Sequence, residues 1–332
     1  MWLLTPDPGQ QLYVALFAVT LALHALLIGA VVGGTGYAAI AAVRRAPDPI
    51  ADVVRAWLPI GLGLAITAGV APLLFVQVLY QDAFYTANLL RGPRWVAIVP
   101  ALIAGFYLLY VHKRGWGATR VHRAGVLALA LGAFGFVAWS WSTNHRLMLD
   151  DAAWQLVYAH GEGAWSPVGR AARLATYAAL ALPLLAVLAS PLVARDALGA
   201  QRRLAVLALI GTVGAGAGVA ACLAAMRDGV DRSFVVDSPW LPVLAIATAA
   251  LLAGWTWRAW RPSSRSALIL AAVATGGVLL AGALVREAER ASRLWALRPR
   301  VADAGGFPVF VVMAVVVIAA MIGIARIARA AR

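Results

Sequence analysis

His24 lies inside the first long apolar run of the chain, YVALFAVTLALHALLIGAVVGGTGYAAI, and is the one ionisable side chain well within any such run. An imidazole surrounded by apolar residues is costly to keep there, so it marks a functional candidate. Three chemistries are open to it. It can be a packing histidine, hydrogen-bonded to Thr20 or to another helix's backbone. It can be an axial ligand to the iron of a b-type haem, or a hydrogen-bond and proton partner for a quinone or another small substrate. A bis-histidine haem requires a second histidine at matching depth, and no other run offers one. His145 and His160 fall at or beyond the run ends, so either serves only if its segment folds inward, and Met148 would allow mixed ligation. His112 and His122 sit among Lys113, Arg114, Arg120 and Arg123 and read as headgroup-facing.

A second polar concentration follows the second run. GVAPLLFVQVLYQDAFYTANLLRGPRW gathers Gln77, Tyr80, Gln81, Asp82, Tyr85 and Asn88 at one helix end. With His24 and with Asn144 and His145 it makes an outward-facing polar pocket, in which His24, Gln77 and His145 are the candidate cofactor-binding residues. The alternative for such a lip is plain interface. The chain holds no acyl-transfer triad, metal-ligand cluster, phosphate-binding loop or C-x-x-C-H, and its single cysteine, Cys222, excludes internal disulfides. No acidic residue lies within a run, which argues against an ion-driven pump.

The elements that must position these residues are membrane helices. Of 332 residues, 63% are hydrophobic and 13% charged, with mean hydropathy +0.83. A water-soluble domain carries about a quarter charged residues, so lipid must solvate most of this surface. A crossing takes about 20 apolar residues, and that template fits residues 12–43, 57–80, 95–111, 124–141, 174–194, 204–226, 241–257, 267–285 and 308–327. The expected fold is therefore a single all-α domain, a polytopic bundle of about nine spans. The net charge of +14 does not point to nucleic acid, because the arginines sit in small groups between apolar runs. Every alternate connecting segment carries at least three basic residues and the N-terminal segment none, which orients the chain N-out and C-in.

Trp57, Trp95, Trp139, Trp141, Trp240, Trp255 and Trp257 fall at run ends, where an amphipathic ring suits the headgroup region. Three outer segments read as interfacial helices: 81–94, the stretch LMLDDAAWQLVYAH, and 286–300. In the second, Leu147, Trp154, Val157 and Tyr158 share a face; in the third, Leu294, Trp295 and Leu297 form the apolar side. Gly29 and Gly33 form a G-x-x-x-G pair that admits another helix closely, and Gly214 and Gly218 are its candidate partner. No solenoid repeat and no pair of broken helices in corresponding halves is visible, which weakens an inverted-repeat transporter.

LHALLIGAVVGGTGYAAI followed by GVAPLLFVQVLYQDAFYT resembles an uncharacterised group of bacterial multi-spanning membrane proteins associated with, or fused to, c-type cytochromes. More distantly, a histidine in a first helix that starts outside is similar to subunit I of cytochrome bd-type quinol oxidases, where it ligates a haem. The resemblance covers residues 12–112. It implies a subunit of an electron-transfer system in the bacterial cytoplasmic membrane, with haem b or quinone as cofactor and His24 as haem ligand. It also implies a c-type cytochrome, or another extracytoplasmic protein, as partner beside the lipid bilayer. The oxidase's acidic proton-channel residues have no counterpart here, nor do its other haem ligands, so oxygen reduction is not implied. A transporter without ion coupling and a non-catalytic scaffold for an extracytoplasmic partner are the two alternatives.

Overall fold

The computed structural model describes residues 8–44, 47–116, 119–164, 170–225, 235–294 and 312, and every regular element among them is helical. Eight helical stretches are long and apolar enough to cross a membrane. The chain is thus an all-α, multi-pass membrane bundle. Of the expected runs, 308–327 lies outside the described residues except for residue 312, and Trp295 and Leu297 lie outside them too.

Consecutive long helices pack as hairpins: α1 (Pro8–Val43) on α2 (Pro49–Leu79), and α5 (Ile98–Lys113) on α6 (Arg120–Met148). The others are α8 (Arg170–Ala189) on α9 (Leu198–Ala224), and α10 (Trp240–Trp260) on α11 (Arg265–Leu294). Three short helices, α3 (Gln81–Leu90), α4 (Gly92–Val96) and α7 (Ala152–His160), connect them. α1 is central, touching α2, α6, α8 and α11. Its glycines make this possible. A Cβ on Gly29 would strike Leu184, and one on Gly33 would strike the Ala181 carbonyl, so α8 lies backbone to backbone with α1. Gly211, Gly214 and Gly218 of α9 meet Ala179, Leu182, Pro183 and Thr176, a different stripe of α8. The two glycine patterns therefore do not pack on each other as expected. Both clasp α8, whose small residues and alanines present thin faces on two sides.

Several boundaries differ from the apolar runs, for local reasons. α2 begins at Pro49, well before residue 57, because Asp48 is extended (φ −136°, ψ 104°) and accepts from the Ile50 amide, with proline at the first turn. Asp52 and Arg55 then lie in helix, not loop. α6 continues to Met148, so Asn144 and His145 are helical and buried. α11 continues unbroken through residues 286–290, where a separate surface helix was expected. The tryptophans also divide. Trp257 is exposed, but Trp255 is fully buried in the core and anchors nothing at a lipid surface.

The outward faces carry Val19, Leu23, Ile60, Leu64, Ile103, Leu129, Ile210, Val213, Ile246 and Val273, all exposed. Water would not tolerate so large an apolar surface, whereas acyl chains do. Threonines within the spans are satisfied locally: Thr20, Thr35, Thr143, Thr176, Thr212, Thr248 and Thr275 each donate to the carbonyl four residues back. Such self-satisfaction is what a hydrocarbon surround demands.

Candidate functional site

At the end of the bundle where α2 gives way to α3, apolar packing surrounds a set of charges. Val14, Phe17, Phe75, Val76 and Leu79 form the wall with Ala83, Phe84, Leu147 and Val157. α3 and α7 lie across this end. Ala83, Phe84 and Ala87 are the buried face of α3, while Ala153 and Val157 are that of α7. Trp154 Nε1 donates to the Leu147 carbonyl at 2.8 Å, but Tyr158 is exposed rather than sharing the buried face. Arg91, buried, donates to the Ser140 carbonyl at 2.6 Å, and the Arg94 guanidinium stacks 4.3 Å from the Trp139 ring, pinning α3 and α4 to α6.

Inside this frame the last turns of α11 present Arg286, Glu287, Glu289 and Arg290. Tyr80 OH donates to Glu287 Oε1, and Arg290 Nη2 lies 3.3 Å from Glu287 Oε2. The Arg290 guanidinium also sits 4.3 Å from the Phe17 ring centroid. Glu289 accepts from two other helices: Arg146 Nη1 of α6 at 2.8 Å, and Arg173 Nη2 of α8 at 3.0 and 3.1 Å to its two oxygens. Arg286 lies over Tyr177 of α8 at 5.7 Å. Glu287, Glu289 and Arg290 are buried, while Arg146 remains a quarter exposed and links the cluster to the surface. Burying ions costs several kcal/mol each unless partners and hydrogen bonds compensate, and here the partners come from α2, α6 and α8.

Compensation is incomplete. His145 is buried where Arg286, Arg173, Arg290 and Arg146 all act on it electrostatically. Its Nε2 meets no hydrogen-bond partner among the described residues, and neither do Asn144 Oδ1, Arg173 Nη1 or Arg286 Nε. Buried polar atoms are satisfied in roughly nine cases of ten, so four orphans in one cluster need a reason. Among the described residues the cluster brings four arginines against two glutamates.

The chain matches no family model, no curated protein and no solved structure with which it was compared.

The three residues singled out by sequence go to three places. His145 enters the charged cluster. Gln77 sits at the rim, where Tyr85 OH approaches its Oε1 at 3.3 Å on an exposed surface. His24 lies near the midpoint of α2's length, where its Nδ1 is 2.9 Å from the Ala65 carbonyl. A carbonyl only accepts, so Nδ1 carries the proton and Nε2 keeps its lone pair. A Cβ on Gly69 would come within 2.8 Å of the ring, so glycine is what lets the imidazole lie flat on α2. Nδ1–H to a carbonyl with Nε2 free is the form a metal-binding histidine takes, and equally that of a packing histidine. No group of three His, Cys, Asp or Glu able to hold a metal ion occurs among the described residues.

The glutamates and arginines of α11 were not recognised from sequence as buried. A signal was there: VREAERASRL contains no glycine or proline, so the preceding span had no reason to stop. Glu287 and Glu289 lie near the end of the helix that carries the stretch Arg265–Arg290, continuous with the expected run 267–285 rather than in a separate segment.

Proposed function

We propose that the protein is a membrane-embedded binding subunit whose ligand engages the charged cluster at the Tyr80 end of the bundle. One observation carries this reading. His145 Nε2, Arg173 Nη1 and Arg286 Nε are buried N–H or imidazole groups without partners among the described residues, gathered in one cluster of ions from α6, α8 and α11. Unsatisfied buried donors weaken a fold and persist where a ligand uses them. On this reading the basic connecting segments at the opposite end face the cytoplasm and the cluster faces outward from a bacterial cytoplasmic membrane. α3 and α7, laid across that end, are the surface available to an extracytoplasmic partner. Native mass spectrometry of the protein purified in maltoside detergent tests this reading. A co-purified small molecule or lipid, lost in His145→Leu, supports it; a ligand retained by that variant contradicts it.

A second reading, quinol handling for electron transfer to a c-type cytochrome, is favoured by the Tyr80–Glu287 pair, joined through Arg290 to the cluster that holds His145. Oxidising a quinol to a quinone releases two protons and two electrons. An imidazole and a carboxylate at one place can accept the protons, and a partner's haem would take the electrons. His24, with Nε2 free, would be an axial ligand if a b-type haem were bound. A reduced-minus-oxidised spectrum with a haem band, or quinone in an organic extract, supports this reading; neither signal sinks the electron-transfer reading and leaves the binding reading in place.

A further inference from the structure

From charge and donor geometry, we infer that the ligand of the Tyr80-end cluster is a phosphate-class oxyanion, either free or as a lipid headgroup. This rests on the cluster being a binding site, and adds the sign and chemistry of what it binds. The cations that act electrostatically on His145 are Arg146 from α6, Arg173 from α8, and Arg286 and Arg290 from α11. Against them stand Glu287 and Glu289. Glu289 is shared by Arg146 and Arg173, and Glu287 is held by Tyr80 and Arg290. Neither carboxylate hydrogen-bonds Arg286, whose stacking partner is the Tyr177 ring.

Four guanidiniums against two carboxylates leave an excess of two positive charges among the described residues. A phosphomonoester carries roughly −1.5 to −2 at neutral pH, so it balances that excess. The unpartnered atoms also suit it. Arg286 Nε and Arg173 Nη1 are N–H donors with no acceptor, and His145 Nε2 becomes a third donor in its Nε2–H tautomer. Guanidinium forks match the oxygens of phosphate in geometry and are always charged. A neutral ligand would use the donors but leave the charge unanswered in a low-dielectric wall of Phe17, Leu79 and Leu147. Arg146, near the end of α6 and a quarter exposed, is the edge of the cluster that reaches the surface.

The experiment is thermal unfolding of the full chain in maltoside detergent. It is titrated with inorganic phosphate, with dihexanoyl phosphatidate, and with the neutral quinone decylubiquinone, each against sodium chloride at equal ionic strength. Saturable stabilisation by phosphate or phosphatidate, absent with chloride, is the expected result. Comparable affinities for the two identify a free oxyanion, and a phosphatidate affinity tenfold or more tighter identifies a lipid headgroup. Arg286→Gln should weaken the apparent affinity by roughly tenfold or more, the usual scale for losing a charged hydrogen bond. Arg286→Lys, which keeps the charge and is the safer variant to fold, should recover part of it. Stabilisation by decylubiquinone alone overturns the oxyanion assignment while the binding site stands. No stabilisation by any of the three overturns both. An Arg286→Gln affinity equal to the wild type also overturns the assignment.

Discussion

At the Asp48 end of the bundle, charges are many but nearly all exposed, and the buried imidazole and guanidinium nitrogens without a partner there, both of His112 and Arg258 Nε, do not meet a cluster of buried ions. Asp48 caps α2, accepts from Tyr37 OH at 2.7 Å, and faces Arg203 at 3.1 Å with that arginine's side chain about half exposed (45%). Nearby, Arg258 is buried without an acid but is held by the Ser264 carbonyl at 2.7 Å and by Gln201 Oε1 at 2.8 Å. Gln201 in turn donates to the Ser190 and Val193 carbonyls, so two of the guanidinium nitrogens rest on neutral acceptors while Arg258 Nε is left over. At the Tyr80 end, three helices contribute ions to one place and Tyr80 adds a hydroxyl, two acids serve four bases among the described residues, and several donors are left over. The first arrangement fastens helices to each other. The second fastens them incompletely, and the remainder is what a ligand can use.

Variants that break this contrast should rank by how many buried charges they strand. Glu289→Gln leaves Arg146 and Arg173 without their shared acceptor and should destabilise the protein by about 3–5 kcal/mol, the cost of orphaning a buried ion pair. Chemical or thermal unfolding in detergent measures it, and a loss below about 1 kcal/mol would mean the arginines reach water. Gly33→Val tests the scaffold between the two ends. Its side chain would enter the Ala181 carbonyl of α8 and should cost about 1–3 kcal/mol through overpacking, whereas Gly36→Ala, facing nothing within 4 Å, should be nearly neutral. Asp48→Ala removes a cap and two partners at the Asp48 end, for about 0.5–2 kcal/mol. Arg203→Gln at that same site should cost no more than about 1 kcal/mol, because the pair is solvated and screened by salt. If the last two variants proved as damaging as Glu289→Gln, the distinction between the ends would fail.

Much of the fold was legible because hydrocarbon imposes a simple rule: a run of apolar residues long enough to cross must be a helix. Eight of the nine expected spans have counterparts among the described helices, and the centrality of α1 followed from its glycine stripe. What could not be read was depth at the helix ends. Asn144 and His145 follow Trp141 in the polar stretch STNHR, and polarity alone suggests exposure. His145 is buried where arginines of α8 and α11 meet the end of α6, a tertiary fact with no signature in the run itself. The same holds for Glu287, Glu289 and Arg290, whose partners Tyr80, Arg146 and Arg173 are distant in sequence. His24 was legible as a buried imidazole, but its partner, the Ala65 carbonyl, leaves no trace in residue type.

The most direct test of the charged cluster as a binding site is the His145→Leu variant, followed by thermal unfolding with and without ligand. If His145 is kept for a ligand, leucine relieves a buried unsatisfied nitrogen in an apolar wall. The ligand-free protein should then melt a few degrees higher, consistent with roughly 1 kcal/mol or more recovered, while stabilisation by phosphate or phosphatidate disappears. A variant that melts lower than the wild type and is still stabilised by ligand would show that His145 supports the fold, and would contradict the account.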